Sequence, residues 1–157
     1  MKKMLIALDD SASALKTVEY AGLHFGGSPD LQVSLVHVLP NLPAIFWDEG
    51  HILSDAEKAE RKRVVDKWVA ERKAKMEPVF RKAVELLTKS GVPAGQVQQK
   101  SLSDSTDVAE SLLEEARDSG CQTILVGRCD RTARHFLGSV SGRIVSLGTG
   151  IAVTVVE

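Results

Sequence analysis

Cysteine is nearly absent: Cys121 and Cys129 are the two in 157 residues. Two are too few for a disulfide scaffold, their spacing matches no zinc or redox pair, and they suit a reducing compartment. Long apolar runs are missing too. The longest, such as Met4 to Leu8 and Ile151 to Val156, fall far short of the ~20 residues that span a bilayer. The N-terminal run is also too short for the apolar part of a signal peptide, and Asp9 and Asp10 close it. Neither charge sign dominates: 20 basic and 21 acidic residues leave −1, so overall attraction to nucleic acid or an anionic membrane is not expected. His24, His37, His51 and His135 show no metal-ligand spacing, and no zinc helix motif, Walker loop or dinucleotide glycine fingerprint is present. No nucleophile has a credible base beside it. The expectation is a soluble, cytoplasmic protein that is not a metabolic enzyme.

What is there reads as an ordinary globular domain. Hydrophobic residues make up 43% and charged residues 26%, which excludes a disordered or fibrous chain. A chain of this size buries roughly 68–70% of its unfolded surface and needs no staple. Five strand candidates alternate with helical patterns: Met4 to Leu8, Val33 to Leu39, Val97 to Leu102, Thr123 to Val126 and Ile151 to Val156. Ala14, Leu15, Val18, Ala21, Gly22 and Phe25 form one apolar stripe of a first helix. Ser11 or Ser13 caps its start, and Gly26-Gly27 with Pro29 ends it. Residues 40–53 hold two prolines and the pair Phe46-Trp47, and read as a loop. Ser54-Asp55-Ala56-Glu57 is a capping box. A long helical segment, 54–90, follows between the second and third strands, and Pro78 is expected to kink or divide it. Val108, Leu112, Leu113 and Ala116 mark a third helix, entered through Ser105, Thr106 or Asp107, and Val140 to Leu147 a short fourth. The polar third strand reads as an edge.

Strands alternating with helices imply parallel pairing with right-handed crossovers, hence an open sheet covered on both faces. Ligands of such sheets sit beyond the carboxyl ends of the strands, where strand order reverses. After the fourth strand comes Gly127-Arg128-Cys129-Asp130, and then Gly138-Ser139-Val140-Ser141. Gly127 lets backbone approach a ligand, and Gly138-Ser139 opens a helix whose free N–H groups favour an anion. At the other turn, the Asp9 carboxylate can accept hydrogen bonds from a base or a ribose. By spacing alone, a turn glycine at 127 and helix caps at Ser139 and Asp9 are the simpler account of the same residues.

The chain resembles the universal stress protein family over almost its whole length. The matching pieces are Lys3-Met4-Leu5-Ile6-Ala7-Leu8-Asp9-Asp10-Ser11, Leu35-Val36-His37-Val38, Ile124-Leu125-Val126-Gly127, Leu137-Gly138-Ser139-Val140-Ser141 and Ala152-Val153-Thr154-Val155-Val156. The resemblance implies a single doubly wound α/β domain over 1–157, a five-stranded, mainly parallel sheet of order 3-2-1-4-5, and a homodimer. The family includes a branch that binds ATP, and the resemblance leaves open an adenine-nucleotide site that is kept or one that has been lost. In that branch Asp9 matches the acid facing the adenine, Val38 an apolar residue lining the base, and Val126-Gly127 the strand end near the ribose. Ser139, Val140 and Ser141 match the phosphate-facing helix start, and Ala7 completes the set. The branch's motif is glycine, two residues, glycine, nine residues, glycine, then serine or threonine. Gly127 and Gly138-Ser139 keep it, but Asp130 stands at the second glycine and only seven residues separate it from Gly138. At ~5 Å from a phosphate and an effective dielectric of ~20, the Asp130 charge costs on the order of 3 kcal/mol, or more than a hundredfold in affinity. Arg128, Arg131 or Arg134 can offset it, as can a divalent cation such as magnesium bridging Asp130 to the phosphates.

Two further features stand out. The resemblance places the last strand at an edge, where an apolar run carrying Ile151, Val153 and Val155 invites aggregation unless it is paired. The family pairs it with its twin across a two-fold axis. From Glu57 to Lys82, ten cations stand against five carboxylates, a local +5. This is either a solvated face laced with pairs such as Glu57–Arg61, Glu71–Lys75 and Glu77–Arg81, or a partner-docking arm with Phe46 and Trp47 beside it. Three functions follow: an adenine-nucleotide-binding stress regulator; a nucleotide-free dimeric interaction module using 40–82; and, least supported, a weak ATPase.

Overall fold

The computed structural model describes residues 2–39, 53–103, 105–128, 139–147 and 150–157. Five strands, β1 (Lys2–Ala7), β2 (Leu31–Val38), β3 (Val97–Leu102), β4 (Thr123–Gly127) and β5 (Ala152–Val156), form one sheet of order β3-β2-β1-β4-β5. Every pairing is parallel, with Ile6 opposite Leu35 on one side and Leu125 on the other. The helices are α1 (Ala12–Phe25), α2 (Asp55–Lys89), α3 (Val108–Asp118) and α4 (Ser139–Leu147), with a 3-10 turn at Ala94–Gln96. Among the described residues no helix is long and apolar enough to cross a membrane.

The period of two along the central strands splits the core into two layers. Met4, Ile6, Val33, Leu35 and Leu125 face α1 and the last turns of α2, meeting Val18, Ala21, Phe80 and Leu87. Leu5, Val36, Val38 and Ile124 face α3 and α4, meeting Leu112, Leu113, Ala116 and Ile144. Strands covered on both faces read as unbroken apolar runs, which is why β1 and β4 stand out in the sequence. The edges differ: β3 exposes Gln98, Gln99 and Lys100, and β5 is half-buried apart from exposed Ala152.

Local chemistry sets the helix ends. Ser11 caps α1, its Oγ accepting from the Ala14 N–H at 3.3 Å. The capping box at α2 is complete: the Glu57 N–H donates to Ser54 Oγ at 3.4 Å, and the Ser54 N–H to Glu57 Oε2 at 2.7 Å. Gly26 ends α1 against α2, where a Cβ would stand 2.1 Å from the Ser90 carbonyl oxygen.

Pro78 does not divide the long segment: α2 is one helix of 35 residues. Proline removes only the bond to the Ala74 carbonyl, and the buried side chains of Met76, Phe80, Ala83 and Leu87 on either side of it hold the helix to the sheet. Two expected surface pairs, Glu71–Lys75 and Glu77–Arg81, are not formed among the described residues. Glu57 bonds to its own cap, and the ion pairs on α2 among the described residues include Glu60–Arg63 at 2.8 Å and Glu85 with Lys82 and Lys89 at 3.5 and 2.6 Å. Phe46 and Trp47 lie outside the described residues.

Candidate functional site

Strand order reverses between β1 and β4, and a recess of about 100 Å³ opens there at the carboxyl ends. Its floor is the strand ends, Ala7 to Asp9, Val36 to Val38 and Val126-Gly127; Ser11, Ser13 and Ala14 of α1's first turn stand on one side. Val108 and Leu112 of α3 with Val140 and Ser141 of α4 form the facing wall.

Seven sequence-predicted residues are thus brought together: Ala7, Asp9, Val38, Val126, Gly127, Val140 and Ser141. Ser139 is the first residue of α4. Asp130, Gly138 and the side chain of Ser139 lie outside the described residues, as do Arg131 and Arg134. Arg128, a candidate to offset Asp130, donates through Nη1 to the carboxylate of Glu157.

Polar groups in the recess are ordered by one another. Asp9 is exposed, and its Oδ1 accepts from the Ser11 N–H at 2.9 Å and from the Ser11 hydroxyl. The Ser11 and Ser13 hydroxyls stand 2.9 Å apart. Asp9 therefore braces the residue that caps α1 and is not itself the cap. His37 is buried, and its Nδ1 lies 2.9 Å from the Leu8 carbonyl oxygen. A carbonyl only accepts, so Nδ1 carries the proton of this bond. Ser141 is 1% exposed, a polar residue packed into the wall.

Gly127 has a different reason to be glycine from the one its sequence context suggests. A Cβ there would lie 2.9 Å from the Ser13 carbonyl oxygen and 3.0 Å from Ser13 Oγ. The missing side chain lets β4 reach the first turn of α1, and this contact closes the recess between them.

Sequence reasoning missed Ser11, Ser13, His37, Val108 and Leu112 as lining residues. The serines were legible as polar residues just past a strand end but were assigned to capping, which Ser11 also does. Val108 and Leu112 gave no signal, because an apolar stripe does not say which of its members reaches the sheet's rim. The assembled site is a largely apolar recess that also carries the Asp9 carboxylate, the Ser11 and Ser13 hydroxyls and the His37 imidazole. Among the described residues no group of three or more His, Cys, Asp or Glu side chains is placed to hold a metal.

The family model described as the universal stress protein family matches residues 1–156. The chain is similar to a universal stress protein family member from Burkholderia pseudomallei, at 21% identity over 98% of this chain and 94% of that one, with a TM-score of 0.63. It is similar to the Archaeoglobus fulgidus universal stress protein in complex with dAMP, at 20% identity, 100% and 98% coverage and a TM-score of 0.59. It is also similar to an Arabidopsis thaliana family member with AMP bound, at 14% identity, 99% and 90% coverage and a TM-score of 0.62. At these identities the likeness to each structure is one of fold. No curated protein sequence matches.

Proposed function

Because this chain belongs to the universal stress protein family, whose members are generally non-enzymatic stress-response proteins, we propose that it is a regulator that binds an adenine nucleotide at the carboxyl ends of β1 and β4. One observation carries the reading: the recess at the strand-order reversal gathers Asp9, Val38, Gly127 and the first turn of α4 into a single slot. Val38, Ala7 and Val126 offer an apolar bed for the base, and Asp9 an acceptor for its amino group or for a ribose hydroxyl. The N–H groups opening α4 suit a phosphate. The dAMP and AMP carried by two relatives are of the same chemical class.

The test is a calorimetric titration of nucleotide-free protein with AMP, ADP and ATP, each with and without magnesium. Micromolar binding of at least one supports the reading, and silence for all three overturns it. The Asp130 charge adds a finer expectation. Without magnesium, Asp130→Gly should tighten ATP about a hundredfold, the repulsion estimated above, and AMP by less. Unchanged ATP affinity would mean that Asp130 stands away from the phosphates.

A second reading has its own support. No residue of α2 before Met76 is buried, and Glu57 to Lys82 carries +5 in a chain of net charge −1. This arm suits an acidic protein partner, in which case the segment 40–82 is the working surface and Gly138→Asp leaves partner binding intact while Lys62→Glu weakens it.

A further inference from the structure

Arg143 lies in the second turn of α4, just past Ser141. Its Nε donates to Asp107 Oδ2 at 3.0 Å and its Nη2 to Glu110 Oε1 at 3.2 Å. Asp107 is also the N-cap of α3, and its other oxygen, Oδ1, accepts from the N–H groups of Ala109 at 2.9 Å and Glu110 at 3.2 Å. One carboxylate thus holds the first turn of α3 with one oxygen and α4 with the other. Those two helices supply the whole of one wall of the recess, through Val108, Leu112, Val140 and Ser141.

The need for such a tie comes from the length of α4. Nine residues are too few to hold a helix in place by their own hydrogen bonds, so its position depends on contacts with neighbours. Ile144 and Ser141 supply the buried ones; the Arg143 fork supplies the directional one, because a planar guanidinium bonded to the capping carboxylate of Asp107 and to Glu110 limits rotation and sliding. Half-exposed ion pairs of this kind contribute little to global stability. Their effect is on where the first turn of α4 points.

The geometry points to Arg143 as the positioning residue for the anion end of the recess: tied to the capping carboxylate of α3, it sets the first turn of α4 and so favours phosphate-bearing ligands over bare nucleosides. This rests on the adenine-nucleotide reading. The experiment compares adenosine and AMP binding by calorimetry in the wild type, Arg143→Met and Arg143→Lys, with hydrogen exchange of α4 followed in parallel. Arg143→Met should weaken AMP about tenfold, what one misaligned hydrogen bond to a charged group forfeits, and leave adenosine within about twofold. Arg143→Lys, keeping one contact, should recover part of the loss. Equal weakening of adenosine and AMP, or no weakening of either, overturns the inference. So does full recovery of AMP binding in Arg143→Met with Glu110→Gln, since the effect would then be bare charge repulsion. Should the wild type bind neither adenosine nor any of AMP, ADP and ATP, the nucleotide reading falls by itself and exchange decides about the tie. Faster exchange confined to α4 in Arg143→Met supports it, and unchanged exchange there overturns it.

Discussion

Gly127 and Ser13 are far apart in the chain, yet no side chain fits between them. A methyl group at 127 would meet the Ser13 backbone at 2.9 to 3.0 Å, a distance that backbone atoms cannot relieve by a rotamer change. Gly127→Ala should therefore cost about 1–3 kcal/mol, the range for overpacking a well-filled site. It should appear as a lower urea midpoint with an unchanged slope. A change below about 0.5 kcal/mol, the usual scatter of neutral substitutions, would show that the turn yields easily. The glycine itself was conspicuous in the sequence; its contact was not, because Ser13 becomes its neighbour only through the β1–β4 pairing. Asp9 has a similar history. Its place at a strand end was legible, whereas its bracing of Ser11 depends on the turn that follows.

Among the elements, α3 and its neighbours show how a buried charge is tolerated. Glu115 is 8% exposed on the sheet side of α3, with Lys100 Nζ of β3 at 2.5 Å from Oε2 and Ser119 Oγ at 2.7 Å from Oε1. Burial pushes its carboxyl up, but the hydrogen bonds from Lys100 and Ser119, with the Lys100 charge, hold it below the usual glutamate range. A folded-state value below the unfolded one makes the ion pair stabilising above the ordinary glutamate pKa of ~4.3, and that contribution fades as pH falls through the lower folded value. Glu115→Gln should lower stability at neutral pH and flatten its decline in acid, followed by urea unfolding from neutral to strongly acid pH. A parallel decline in both proteins would exclude Glu115 as a source of the acid limb. The existence of α3 followed from its apolar stripe, and the structure selects Asp107 as its cap from Ser105, Thr106 and Asp107. Glu115 gave no warning, since a glutamate on a helix normally faces water, and only the crossover places Lys100 beside it. Pro78 is the opposite case: a strong local breaker that the tertiary contacts of Met76, Phe80, Ala83 and Leu87 override.

At the scale of the whole molecule, β5 ends the sheet with β4 on one side. The Ala152 N–H donates to Gln122 and the Val156 carbonyl accepts from Arg128. In a parallel ladder alternate residues bond the same neighbour, so Val153 and Val155 turn their N–H groups to the outer edge. We propose that a second copy pairs there. Val155→Pro removes an outward donor and spares the β4 bonds; it should turn a dimer into a monomer in analytical ultracentrifugation without loss of the fold. A wild type that sediments as a monomer at micromolar concentration would end the idea. The sequence by itself determined the parallel α/β architecture, the strand order through its family resemblance, the polar β3 edge and the capping box of α2. All of these are written in local periodicity, capping chemistry or motif. Only the tertiary structure decided that α2 runs unbroken, that Gly127 meets Ser13, and that Val108, Leu112 and His37 share a recess with Asp9 and Ser141. It also decided that Arg143 joins α4 to α3. Those relations join residues distant in the chain, and the packing that creates them has no signature within any one segment.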